Sequence, residues 1–135
     1  MLCVISGAAM LATGAHGAPR ALRSHATYST CRSSAMLVCL TRSAGNHVTT
    51  VQKGETVELT LTGSTLQWSE PEIVGAKILL PVGAALSRGG ASRERFRAVR
   101  VGHTAIQATA TAKCSAGEMC PQFALLWRAA VVVTN

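Results

Sequence analysis

Apolar and polar residues alternate through most of the chain beyond its first third. From Val38 to Leu61, VCLTRSAGNHVTTVQKGETVELTL carries two strand patterns joined by Gln52-Lys53-Gly54-Glu55, with the turn Ser43-Ala44-Gly45-Asn46 ahead of them. A period of two sets Val57, Leu59 and Leu61 on one face and Glu58 and Thr60 on the other, the pattern of a strand with one face buried. Phe96 to Ile106 repeats the device around Gly102, and Ala129 to Val133 is a further Val-rich run. Strands are predicted at Met36 to Thr41, His47 to Gln52, Thr56 to Thr62, Thr65 to Trp68, Lys77 to Leu80, Arg93 to Arg100, His103 to Thr111 and Phe123 to Val133. Gly54 and Gly102 suit tight turns, Gly89-Gly90 opens a loop before the Arg93 strand, and Pro71 and Pro81 mark strand edges because proline cannot donate to a ladder. With turn signals between the runs and no sustained helical period, the fold class predicted is all-β, an antiparallel β-sandwich of about seven to eight strands.

Organisation before the first strand differs. Leu2 to Leu11 is apolar, and Ala15-His16-Gly17 offers small residues at the spacing a signal peptidase reads, so residues 1–17 read as a signal peptide without a basic n-region. The run is too short to span a bilayer, which gives no transmembrane anchor. Residues 18–35 lack periodicity and read as a linker or irregular segment, leaving 36–135 as the domain. The implied location is secreted or cell envelope.

Composition narrows the picture. The chain has 135 residues, 48% of them hydrophobic but only 4% aromatic, which suits a thin core of β-branched residues and alanine. Thirteen Lys and Arg against six Glu, with no Asp, give a formal charge of +7. These charges are scattered and accompany no recognisable nucleic-acid-binding module, so nucleic acid is not an expected partner.

Five cysteines leave one unpaired, and Cys3 falls in the segment that signal cleavage would remove. Cys114 and Cys120 flank a short loop between two strand patterns and are predicted to form a disulfide; Cys31 and Cys39 are a second pairing left open. The spacing is not that of a zinc site, and no metal or other cofactor is expected. No Gly-x-Ser-x-Gly elbow or His-Glu-x-x-His motif is present, so the protein reads as a non-enzyme, and Glu70 and Glu72 read as solvated loop residues.

Arg93, Arg95 and Arg97 project to one face of their strand, opposite Phe96 and Ala98, at intervals of roughly 7 Å. Two readings stand: a stripe that meets anionic groups on a polymer, or a solvated face that protects a sheet edge. Trp127 is expected in the core. Trp68 has two readings as well, core filler or exposed binding anchor.

Leu40 to Leu59, followed by Gly89-Gly90, Phe96, Ala98, Gly102 and Ile106, resembles the framework of the chagasin-like inhibitors of cysteine peptidases, which are secreted or vesicular Ig-like sandwiches. Gly102-His103-Thr104-Ala105-Ile106-Gln107-Ala108-Thr109 is also similar to the hallmark of bacterial Ig-like surface domains. The resemblance implies an Ig-like sandwich over about residues 37–135 and a cysteine peptidase as partner. Arg88-Gly89-Gly90 is similar to the family's middle, glycine-rich loop. The family's Asn-Pro-Thr-Thr-Gly-Tyr loop is replaced here by Thr62 to Trp68, and Ala112 to Pro121 has no Arg-Pro-Trp counterpart. Two functions follow: first, an exported non-enzymatic Ig-like binding or interaction module for an unidentified protein or cell-envelope polymer; second, a chagasin-type cysteine peptidase inhibitor with diverged loops.

Overall fold

A computed structural model describes residues 31–135; the expected signal peptide and most of the linker lie outside the described residues. Among the described residues ten strands form two five-stranded sheets. In the first sheet β1 (Leu37–Thr41), β3 (Thr56–Leu61), β8 (Ala91–Ala98) and β6 (Leu79–Pro81) lie side by side, and β7 (Leu86–Arg88) also pairs with β8. The second runs β2 (Val48–Gln52), β10 (Ala124–Thr134), β9 (Gly102–Ala112) and β4 (Leu66–Trp68), with β5 (Glu72–Gly75) also on β9.

The alternating runs build the core as the period of two requires. Val57, Leu59, Leu61, Phe96 and Ala98 of the first sheet join Ile106, Ala108, Ala110, Trp127, Ala129, Val131 and Val133 of the second in one buried cluster. Alanines on β9 keep its inner face shallow, so the few large side chains supply the bulk between the sheets. Trp127 is core, as expected, and its indole Nε1 donates to the Arg42 carbonyl at 2.9 Å in the short 3-10 turn Arg42–Ala44.

All eight expected strands are present, with boundaries within about two residues. β5 and β7 are additional. Both are short, and β7 is exposed at every position, so neither carries a burial period to read. Pairing is not wholly antiparallel either: β1 runs parallel to β3, and β2 parallel to β10. The turn between β2 and β3 is the cause, because it carries the chain from one sheet to the other instead of folding a hairpin. Its backbone is held on both sides, Lys53 N–H donating to Thr134 and Gly54 N–H to Ala98.

Candidate functional site: three loops at one end of the sandwich

Three connections meet at one end of the molecule: Thr62 to Thr65 between β3 and β4, Gly89-Gly90 between β7 and β8, and 113–123 between β9 and β10. Direct hydrogen bonds tie them together. Lys113 Nζ donates to the Gly89 carbonyl at 2.9 Å, and Lys113 N–H donates to the Thr65 carbonyl at 2.9 Å. Trp68 N–H donates to the Gly90 carbonyl at 2.9 Å, linking the middle loop to β4.

Gly89-Gly90 does more than open a loop. Arg88 pairs with Ala91 across it, so β7 and β8 form a hairpin with a two-residue turn, and both glycines have positive φ, 60° and 87°. That is the conformation in which a two-residue turn follows strand twist, and it favours glycine. At Gly90 a second constraint applies, since a Cβ there would lie 2.5 Å from the Leu66 carbonyl oxygen. The approach of β4 to the hairpin therefore requires the missing side chain. Arg88 stands exposed at the hairpin's base.

Cys114 and Cys120 are bonded, with Cα atoms 5.6 Å apart, and Cys31 and Cys39 form a second disulfide. The 114–120 bridge clamps a loop in which every residue is exposed, and Met119 is wholly in solvent. Phe123, 46% exposed, follows on the approach to β10. An apolar, unbranched side chain on a clamped loop presents contact area with little backbone entropy left to lose on binding.

Trp68 does not join this surface as an anchor. It is 2% exposed and belongs to the core cluster, with its Nε1 donating to the Thr62 carbonyl at 3.3 Å, so it braces the first loop from within. Of its two readings, burial leaves core filler.

The arginine stripe runs along β8 and differs from three open guanidinium groups. Arg93, Arg95 and Arg97 do share a face, with Phe96 and Ala98 buried on the other. Glu58, directly across from Arg95 on β3, is wholly buried on that outer face and accepts from both Arg93 and Arg95. Arg93 and Arg95 retain 28% and 52% side-chain exposure, and Arg97 is exposed opposite Thr56. Two of the three groups therefore spend donors on holding a carboxylate. Period-two reading placed the arginines on one face, but Glu58 enters through a pairing 37 residues distant, which no local pattern signals.

No family model matches the chain, and no curated protein matches it. Among solved structures, the cysteine protease inhibitor EhICP2 from Entamoeba histolytica matches with a TM-score of 0.51 and 13% identity, over 73% of this chain and 95% of that one. Amebosin, known from a solution structure, matches with a TM-score of 0.41 and 16% identity, over 72% of this chain and 97% of its own. The likeness is one of fold. It nonetheless corrects the leading expectation of a binding module for an unidentified ligand, because the fold it shares is that of a cysteine protease inhibitor and not of an enzyme. Among the described residues no helix is long and apolar enough to cross a membrane, and no cluster of His, Cys or acidic side chains could hold a metal ion.

Proposed function

We propose that the protein is a chagasin-type inhibitor of cysteine peptidases with diverged loops. The observation that carries this reading is the convergence of three loops at one end of the sandwich, cross-linked by Lys113, Gly89 and Thr65. Its likeness to EhICP2 along nearly all of that chain supports it. The inhibitor would act by occupation: a rigid, three-part edge enters the substrate cleft, Met119 and Phe123 supply apolar contact, and the Gly89-Gly90 hairpin brings backbone close to the peptidase. No bond is made or broken in the chain. Because Thr62 to Trp68 lacks proline and tyrosine, the first loop contributes little wedge, and most of the contact falls to the 114–120 loop. Export belongs to the same reading, supported by the two disulfides, since such bonds persist in oxidising compartments.

Progress curves of papain-like peptidases on a fluorogenic substrate, with increasing protein, test it. Expected is reversible, competitive inhibition at micromolar or lower concentration, weakened at least tenfold in Met119→Asp. Absence of inhibition across a panel of such peptidases at about 100 µM, where even a weak complex of about −6 kcal/mol would register, would overturn the reading.

A further inference from the structure

Glu94 breaks the chemistry of the face it lies on. It is in phase with Ser92, Phe96 and Ala98 on β8, so its side chain turns inward and is 5% exposed. Among the described residues its Oε2 has no hydrogen-bond partner. Burial first, and the Glu70 carboxylate second, raise its affinity for a proton above that of an ordinary carboxyl.

A break in the edge of the first sheet explains how such a group is tolerated. β6 ends with Pro81 opposite Phe96, and β7 begins with Leu86 opposite Arg93, so Val82 to Ala85 arches past β8 between them. Glu94 stands in that interval. On its inner side Glu94 lines a cleft of about 380 Å³ between the sheets, with Ile73, Leu79 and Phe96 as apolar walls and Glu70, Glu72 and Glu94 as its carboxyls. Half of the chain's six acidic residues line this one cleft, against one cation among the described residues, Lys77. The Glu58 ion pairs use none of them. Glu72 accepts from Gln107 Nε2 at 3.3 Å through Oε1.

We propose that this cleft is a binding site for an alkyl guanidinium, whose stem lies along Ile73, Leu79 and Phe96 and whose head meets Glu94 and Glu70. A buried carboxylate lacking a partner is costly, and a cation that supplies donors removes that cost. A guanidinium suits the place better than an ammonium, because its planar fork reaches two carboxylates at once and it is more weakly hydrated. Metal is a poor occupant, since no group of three or more ligating side chains among the described residues is arranged to hold one. In a chain of net charge +7, long-range attraction would not bring a cation here, so recognition depends on the local carboxyls. Glu94 is three residues along β8 from Ala91, roughly 10 Å from the loop end, and the site does not depend on the peptidase reading.

Amide-resolved NMR titration of the full chain tests the proposal with three probes: agmatine, N-acetyl-arginine amide and the neutral N-acetyl-citrulline amide. Expected are saturable shifts at Glu94, Ile73 and Phe96 with a guanidinium probe, half-complete at about 1 mM, and none with citrulline. Agmatine acting alone would assign a free small molecule, and N-acetyl-arginine amide acting as well would assign a peptide side chain; both uphold the site. Glu94→Gln should weaken binding at least tenfold with the fold intact, as reported by an unchanged or higher thermal midpoint, while Glu118→Gln in the exposed loop leaves it unchanged. Equal shifts with citrulline, full binding by the Glu94→Gln protein, or absence of saturable shifts would overturn it.

Discussion

Replacing Arg93 and Arg95 together by Ser would strand Glu58, a carboxylate with no exposure to water that accepts from both of those side chains. Removing the partners of a buried charge costs about 3–5 kcal/mol. Truncating two side chains that are themselves 28% and 52% exposed admits some water to the carboxylate, so the lower end, about 3 kcal/mol, is expected. Glu58→Gln is a different case. It leaves two guanidinium groups that reach solvent and a side-chain oxygen that still accepts, for a loss of about 1 kcal/mol. Combining all three substitutions should recover about 2 kcal/mol relative to the double variant, since the stranded charge is gone. Urea unfolding followed by tryptophan emission reads this directly, because Trp68 and Trp127 are both buried and both become exposed. At a slope of about 1–2 kcal/mol/M, the double variant's midpoint should fall by at least 1 M. If it loses less stability than Glu58→Gln, or if the triple variant recovers nothing, the carboxylate is not held as described.

Glu94 titrates with the opposite sign from a paired carboxylate. Its folded-state affinity for a proton is raised above the ordinary value of 4.5, so the folded state binds the proton more tightly and this group's contribution falls as pH rises from that value; Glu94→Gln should flatten the dependence and be the more stable protein at pH 7, as chemical denaturation at pH 4 and 7 would measure. Gly90→Ala should cost about 2 kcal/mol or more, because positive φ and a 2.5 Å approach to the Leu66 carbonyl act together. Gly89→Ala, with open space around its Cβ, should cost about 1 kcal/mol, and a thermal melt distinguishes the two. Replacing Cys114 and Cys120 by Ser should lower stability by about 2 kcal/mol on the chain-entropy account and weaken peptidase inhibition more than this loss of stability implies.

Most strands were legible because burial follows sequence period wherever a strand is long enough. β3, β8, β9 and β10 have six to eleven residues each and bury alternate positions over much of their length. Only three residues form β7, all exposed, and its existence follows from the Gly89-Gly90 hairpin, a tertiary arrangement. Parallel pairing was hidden for a related reason: a turn of four residues looks the same whether it folds a hairpin or crosses between sheets. Among site residues, Cys114 and Cys120 could be paired from local spacing. Glu94 was legible in principle, being in phase with Phe96 and Ala98, and the eye is drawn instead to the arginines that alternate with it. Glu58 was not, since its burial comes from neighbours on β1 and β8, and period two alone assigns it to the solvent face.

The parallel ladder between β2 and β10 sets a waiting time during synthesis. Val48 pairs with Ala130, 82 positions later in the chain. A ribosome adding about 5–20 residues per second emits β2 roughly 4–16 s before its partner exists. Throughout that interval β2 is an open edge, and Val51, fully covered in the finished sheet, has nothing to cover it. A nascent chain can start the first sheet early, because β1 and β3 are close neighbours in sequence, and β4 and β5 can pair with β9 before β10 is made, whereas β2 joins the second sheet only through its final strand. Chaperone dependence and aggregation should therefore track the speed of translation between Gln52 and Ala124 more closely than the stability of the finished fold.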